Sequence, residues 1–89
     1  MSTHELKIKR EWYDRIVAGE KTAEIRIHDR DYQAGDHLFL SVSPAKIGTN
    51  GDPLTEAVTV TVTHVLDGRL AQGIADDYCL LSIRLGGAA

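Results

Sequence analysis

The chain is short of cysteine and of long apolar runs, and each shortage excludes a class of protein. Cys79 is the single cysteine, so the chain can form neither an internal disulfide nor a metal site made of cysteines alone. Cys79 lies in an apolar run, so we expect it in the core. No run of about 18 apolar residues occurs, which excludes an ordinary transmembrane helix, and the N-terminus lacks a signal-peptide pattern. We therefore expect a cytoplasmic protein that does not contact membranes.

An excess of basic residues is also missing. The net charge is −3 at pH 7, so the chain as a whole does not attract a polyanion, and nucleic-acid binding would need a local basic patch. Apolar residues at 43% and charged residues at 26% are typical of a folded chain. The 89 residues suffice for one small core, so we predict a single domain, residues 1–89.

The spacing of apolar residues predicts five strands and one helix. Residues 10–18 carry apolar side chains four positions apart, which predicts a helix that packs Trp12 and Ile16 into the core, with Gly19 as its C-terminal cap. Alternation of polar and apolar residues predicts strands over residues 4–9, 22–28, 37–42, 55–66 and 78–85. These elements with short connections indicate an α+β fold, a small closed or nearly closed β-barrel. The glycine- and proline-containing segment 43–53 is predicted to be a long hairpin or a mobile flap.

Charge is densest between residues 19 and 30. Side chains alternate along a strand, which gives two faces: Ala23, Ile25 and Ile27 on one, and Glu24, Arg26 and His28 on the other. We expect the isoleucines in the core. The charged face then points either to solvent, where an ion pair contributes little, or into a cleft that would bind an anionic, hydrogen-bonding ligand.

Several of these side chains are candidates for contact with a ligand. Lys21 and Arg26 suit a phosphate or a carbonyl oxygen, and Glu24 could accept a hydrogen bond from the exocyclic amine of a base. His28 could exchange a proton near neutral pH. Tyr32, Tyr13 and Trp12 are candidates for stacking on a base, with core packing favoured for Trp12. The predicted ligand-binding set is Lys21, Thr22, Glu24, Arg26, His28, Arg30 and Tyr32.

Other chemistry has little support in the sequence. His64 falls on the valine face of its strand, so it is expected either in the core or in the cleft near Glu24. Neither a glycine-rich phosphate loop nor paired metal-ligand spacing is visible. We therefore predict no metal and no cofactor.

Four of these residues carry a resemblance to a known family. Gly19, Lys21, Glu24 and Arg26 match the Gly-x-Lys-x-x-Glu-x-Arg motif of the ASCH domains, which belong to the PUA-like superfamily of small β-barrels associated with RNA. The similarity covers about residues 4–85. The flanking matches resemble a compact, uncharacterised, often phage-borne ASCH-related family; they are residues 29–36 and 65–68, Asp77-Tyr78 and Ser82-Ile83. The resemblance implies a PUA-like barrel with a cleft beside the helix.

The resemblance also implies a function, the binding of RNA or a nucleotide in that cleft. One ASCH branch contains small bacterial amidohydrolases that deacylate acetylated cytidine, using a lysine at the position of Lys21, a threonine at that of Glu24 and a later glutamate. Here Lys21 is present, but Glu24 replaces the threonine and no obvious later glutamate exists. The first alternative is therefore a hydrolase that uses Lys21 and Glu24, either an amidohydrolase on a modified nucleoside or a ribonuclease. The second is a small protein-interaction module that uses segment 43–53. The sequence leaves the base, the occurrence of catalysis and the oligomeric state open.

Overall fold

The structure, a computed structural model, describes residues 1–86. Residues 87–89 of the predicted domain lie outside the described residues. The elements are β1 (Thr3–Ile8), α1 (Arg10–Val17), β2 (Ala23–Ile27), β3 (His37–Val42), β4 (Ala57–Asp67), a 3₁₀ turn (Gly68–Leu70) and β5 (Tyr78–Leu85). The prediction of five strands with one N-terminal helix is thus confirmed.

The five strands form one mixed sheet in the order β1-β3-β4-β5-β2. β1 runs parallel to β3, and the other neighbours are antiparallel. The sheet curls into a half-barrel, so closure is only partial: β1 and β2 are its two edges and do not pair with each other. The gap between these edges is where the charged residues of β2 lie.

The core fills the concave side of the sheet. Leu38, Leu40 and Val60 from the central strands are fully buried, as is Cys79, in agreement with the prediction for the cysteine. Helix α1 packs across β3 and β4 and inserts Ile16, which is 2% exposed. Burial of such apolar side chains contributes about 1.5–3 kcal/mol each, and it fixes the helix at one end of the half-barrel.

The prediction that Trp12 packs in the core with Ile16 is wrong. Trp12 is 41% exposed, whereas Tyr13 packs against the core beside Ile16. The buried stripe of this short helix therefore joins Tyr13 and Ile16, three positions apart, and not Trp12 and Ile16, four positions apart. Residues at either spacing lie on the same face of a helix. The indole is left at the surface, near the start of β2.

The orientation of β2 is the reverse of the one predicted, in which its isoleucines faced the core. Ile25 and Ile27 are 61% and 53% exposed, while Glu24 is only 7% exposed. The register explains this, because Glu24 is opposite Leu81 and Arg26 is opposite Cys79, and both partners point into the core. The outer face of this edge strand has no covering layer, since α1 packs on β3 and β4. Of the two alternatives for the charged face, the inward one is observed.

His64 is not in the core, because β4 contains a β-bulge. The pairing with β5 shifts between Val62 and His64, so that one extra residue reverses the parity of the strand beyond that point. His64 is consequently exposed, and Val65 takes the inward position and packs against the core. Neither predicted place for His64, in the core or near Glu24, is correct.

Segment 43–53 forms a long hairpin. Ile47 and Pro53 make an isolated bridge, and the turn between them contains Gly51 at φ +86°, a conformation that favours glycine. The hairpin is one of the two forms predicted. Ile47 is 64% exposed at its surface.

The N-terminus of β1 is tied to the loop before β3 by a buried carboxylate. Asp36 is 2% exposed and accepts hydrogen bonds from the Ser2 and Gln33 amides and from His4 Nε2, at 2.9–3.0 Å. Burial raises the pKa of Asp36, but these hydrogen bonds outweigh it, so the net pKa lies below its usual value. Within residues 1–86, no helix combines the length and the hydropathy needed to cross a bilayer.

Candidate functional site

The junction between α1 and β2 places Lys21 at the edge of the half-barrel. Gly19 adopts φ +78°, in the left-handed region where a glycine cap ends a helix at little cost. The amides of Glu20 and Lys21 both donate to the Arg15 carbonyl. The chain thus reverses within a few residues before β2 begins at Ala23, and Lys21 lies beside Glu24.

Lys21, Glu24 and Arg26 form one connected charged cluster. Lys21 Nζ lies 2.5 Å from Glu24 Oε1, and Arg26 Nε donates to Glu24 Oε2 at 2.8 Å. The Glu24 side chain is 9% exposed and those of Lys21 and Arg26 are each 21% exposed. The predicted motif residues therefore do meet, and both oxygens of the buried carboxylate accept hydrogen bonds from cations.

Two backbone carbonyls extend this charged cluster. Lys21 Nζ also donates to the Ala23 carbonyl, and Arg26 Nη2 donates to the Lys7 carbonyl at 2.8 Å. Because Lys7 belongs to β1, the arginine bridges the two unpaired edges of the half-barrel. The sequence offers no signal for this contact, since it involves a main-chain oxygen far away along the chain.

The charged cluster combines two cations with one carboxylate, so it has one net positive charge. Partial burial strengthens its electrostatic interactions compared with those of a surface pair. A lysine ammonium and a guanidinium fork suit phosphate, carboxylate or carbonyl oxygens. The arrangement is suited to an anionic or oxygen-rich ligand, and it also holds β2 against β1.

A cavity of about 390 Å³ opens next to the charged cluster. Its volume lies within the range of small-molecule sites. Trp12 forms one wall and Ile25 another, and the polar side chains of Lys21 and Glu24 line the same space. Sequence reasoning weighed Trp12 as a residue that stacks on a base but favoured the core for it, so it was left out of the predicted ligand-binding set.

The remaining predicted site residues lie elsewhere around β2. Thr22 is exposed, and its carbonyl accepts a hydrogen bond from the Ile83 amide. Arg30 is exposed and lies 3.5 Å from an Asp29 carboxylate oxygen. Within residues 1–86 neither side chain forms a hydrogen bond or an ion pair with the charged cluster, although Arg30 lines a cavity of about 370 Å³ together with Arg26.

Tyr32 and His28 meet at the other end of β2. The Tyr32 ring centroid lies 6.3 Å from that of His28 and 4.8 Å from that of His4. Tyr32 is only 3% exposed, which leaves little of its ring available to stack on a ligand, and burial raises the pKa of its hydroxyl. His28 Nδ1 lies 3.8 Å from Asp67 Oδ2.

Asp67 is a residue that sequence reasoning did not select. It accepts hydrogen bonds from the side chain and amide of Arg69, and chiefly the side-chain bond lowers its pKa to about 2. A second cavity, of about 560 Å³, lies here and is lined by His28, Asp29, Arg30, Arg69, Asp76 and Asp77. Its three aspartates outnumber its two arginines, so it is less suited to an anion than the charged cluster. Among residues 1–86, no group of three or more metal-binding side chains is arranged to hold a metal ion.

Comparison with known proteins provides the family. A relative from Escherichia phage P2, described as an uncharacterized 12.9 kDa protein in the GpA 3′ region, is 43% identical over 83 residues, which cover 93% of this chain and 69% of the phage protein. A family model described as a domain of unknown function, DUF3850, matches residues 3–83. The match includes the charged cluster, β1 to β4 and most of β5. The chain therefore belongs to the DUF3850 family.

Proposed function

We propose that this chain is an ASCH-type, PUA-like domain that binds a nucleotide, either free or within RNA. The ligand occupies the Trp12 cavity against the charged cluster. The single observation that carries the proposal is the convergence of Lys21 and Arg26 on Glu24, on the inward face of an edge strand beside an open cavity. The half-barrel with one helix is compatible with a PUA-like fold.

The cavity offers the two kinds of contact that a nucleotide needs. The exposed indole of Trp12 is available to stack on a base, a contact worth about 1–3 kcal/mol. Glu24 can accept from an exocyclic amine, and Lys21 can donate to base carbonyl or phosphate oxygens, while Arg26 holds the Glu24 carboxylate from the neighbouring cavity. Because the chain has a net charge of −3, the attraction of an anionic ligand is local to this cluster.

Trp12 is the single tryptophan of the chain, so its fluorescence reports on this cavity alone. We expect nucleoside 5′-monophosphates or a short single-stranded RNA to quench it in a saturable manner. Lys21→Gln should weaken binding by about 10- to 100-fold, because a hydrogen bond to a charged group contributes about 1.5–3 kcal/mol.

Lys46→Gln is the matched control, since Lys46 is an exposed lysine in segment 43–53 and should leave the affinity unchanged. Melting curves recorded on the same samples separate loss of the ligand from loss of the fold. If neither nucleotides nor RNA quench folded wild-type protein, or if both lysine variants weaken binding equally, the proposal is wrong.

A second candidate is hydrolysis of an acyl group from a modified nucleoside such as acetylated cytidine, or cleavage of RNA. The contact between Lys21 Nζ and Glu24 Oε1 favours it. In deacylation Lys21 would bind the acyl carbonyl oxygen while Glu24 accepts a proton from the attacking water. The C–N bond then breaks as Glu24 passes this proton to the departing nitrogen, which releases acetate and the free amine.

Incubation with acetylated cytidine and with single-stranded RNA tests this candidate. If the protein is a hydrolase, the wild type should form product and Glu24→Gln should form none. Tryptophan fluorescence checks that this variant still binds the nucleoside. If protein that binds nucleotides forms no product from either substrate, the hydrolase is ruled out and the binding proposal remains.

A further inference from the structure

A second cavity lies beside the Trp12 cavity, along the same strand. Its volume is about 370 Å³, against about 390 Å³ for the Trp12 cavity, and both volumes are within the range of small-molecule sites. We call it the Tyr78 cavity, after one of its walls. Ile25 lines both cavities and Ile27 lines the second. A ligand that extends beyond the Trp12 cavity along β2 therefore enters the Tyr78 cavity.

The Tyr78 cavity offers the same two kinds of contact as the Trp12 cavity. Tyr78 is directly opposite Ile27 in the β2–β5 ladder, so both side chains lie on the outer face of the sheet. The tyrosine is only partly buried, which leaves its ring available to stack on a base. The Arg30 side chain is 40% exposed and lies 3.5 Å from Asp29. A surface ion pair of this kind contributes little, so the guanidinium is available to a phosphate.

Arg26 connects the two cavities. It lines the Tyr78 cavity, and it holds the carboxylate of Glu24, which lines the Trp12 cavity. Within residues 1–86 its hydrogen bonds use Nε and Nη2. The two N–H groups of Nη1 are therefore left for an oxygen of a ligand that passes from one cavity to the other.

We propose that the ligand is a single-stranded nucleic acid that fills the two cavities with two consecutive nucleotides. One base stacks on Trp12 and the next base stacks on Tyr78. The phosphate that links them accepts a hydrogen bond from Arg26 Nη1, and Arg30 binds the phosphate at the Tyr78 end. This inference rests on the proposed function, because its first nucleotide is the one proposed for the Trp12 cavity.

An acidic cavity beyond Arg30 limits the site to two nucleotides. The cavity of about 560 Å³ shares Asp29 and Arg30 with the Tyr78 cavity, so a longer strand that continued in this direction would enter it. Asp76 and Asp77 line the same space, and Arg69 is already bonded to a further carboxylate. These aspartates repel phosphate, so a third nucleotide gains little affinity.

Nucleotides of increasing length, with phosphates at both ends, test the proposal. Quenching of Trp12 fluorescence gives dissociation constants for adenosine 3′,5′-bisphosphate (pAp) and for the corresponding dinucleotide and trinucleotide, pApAp and pApApAp. We expect pApAp to bind at least about tenfold more tightly than pAp, because it adds a stacked base and a linking phosphate. The trinucleotide should bind within about threefold of pApAp, because its third nucleotide meets the aspartates. The same series made of deoxyribonucleotides distinguishes RNA from DNA as the source of the strand.

Two arginine variants locate the second nucleotide. Arg30→Gln should weaken pApAp binding about tenfold, because a hydrogen bond between charged groups is lost. It should leave pAp binding unchanged, because Arg30 does not line the Trp12 cavity. Arg84→Gln is the matched control, since Arg84 is an exposed arginine of β5 that lines neither cavity, and it should leave both affinities unchanged. In backbone NMR spectra pApAp should shift the resonances of Ile27 and Tyr78, whereas pAp should not.

The outcomes separate this inference from the proposed function. If neither pAp nor pApAp binds to folded protein, both are wrong. If pAp binds but pApAp gains less than about threefold in affinity, the Trp12 site stands and the two-nucleotide site is wrong. A further tenfold gain of roughly the same size with pApApAp, or equal losses of pApAp affinity in Arg30→Gln and Arg84→Gln, would also overturn the two-nucleotide site.

Discussion

Replacing Arg26 by glutamine should destabilise the fold much more than loss of a surface ion pair does. The change removes the bonds from Nε and Nη2 to Glu24 and the bond from Nη2 to the Lys7 carbonyl. Removing one partner of a fully buried pair costs about 3–5 kcal/mol. Here Lys21 still neutralises Glu24, and the arginine side chain is 21% exposed, so we expect a loss of about 2 kcal/mol.

Urea unfolding followed by circular dichroism measures this loss. For a domain of this size the unfolding free energy decreases by about 1–2 kcal/mol per molar urea. The urea concentration at the midpoint of unfolding should therefore fall by roughly 1–2 M. A double-mutant cycle with Glu24→Gln should give a coupling energy of about 1–2 kcal/mol, typical of groups in one network.

Arg15→Gln provides the matched control. Arg15 Nη1 lies 3.6 Å from Glu20 Oε1, and both side chains are more than half exposed, so that change should cost no more than about 0.5 kcal/mol. A coupling between Arg26 and Glu24 below about 0.5 kcal/mol, or equal losses for Arg26→Gln and Arg15→Gln, would refute the description of the charged cluster as a partly buried network.

Three further predictions follow from burial and backbone geometry. The pKa of Asp36 is lower in the folded state than in the unfolded state. Its ionised form therefore contributes stability above the unfolded-state pKa of about 4, and this contribution is lost as the pH falls through the lower folded-state pKa. Asp36→Asn should reduce the dependence of the unfolding free energy on pH in the acid range, and an unchanged dependence would contradict this. Gly68→Ala should cost at least about 2 kcal/mol, because an added Cβ would lie 2.1 Å from the Ala75 carbonyl oxygen; a melting temperature equal to that of wild type would contradict the packing there. Ile25→Thr should change the unfolding free energy by less than about 0.5 kcal/mol at low protein concentration. Leu81→Ala, at a fully buried position, should lower the unfolding free energy by about 2–5 kcal/mol. Similar losses for the two variants would contradict the observed orientation of β2.

The elements of the fold could be predicted because local periodicity determines them. The Val/Thr alternation in β4 and the apolar run of β5 predict strands whatever surrounds them, and Gly19 marks the end of the helix by its backbone freedom. These signals do not depend on distant parts of the chain.

The orientation of β2 could not be predicted in this way. Its alternation shows that one face is apolar and the other charged, but which face is inward depends on the strand next to it and on the layer above it. Burial of Glu24 requires Lys21 and Arg26 to pair with it, and the uncovered position of β2 at the sheet edge leaves Ile25 exposed. Both conditions arise from the tertiary fold.

His64 and Trp12 show two other limits. A single extra residue in β4 reverses the face of every later position, and the Val/Thr pattern gives no sign of that bulge. In α1 the three- and four-residue spacings predict almost the same stripe, so packing against β3 and β4 decides that Tyr13 is covered and Trp12 is not. The motif residues were found by their pattern, whereas the pattern favoured the core for Trp12, which forms a wall of their cavity.

The measurement that tests the central claim most directly is a backbone NMR titration of labelled protein with nucleosides, nucleoside monophosphates and a short single-stranded RNA. If the charged cluster is the ligand site, saturable shifts will centre on Lys21, Glu24, Arg26 and the Trp12 indole, at a protein concentration where the oligomeric state is constant. Shifts confined to the cavity around Arg69, or none from any of these ligands, would contradict the account and leave the charged cluster as a structural bridge between β2 and β1.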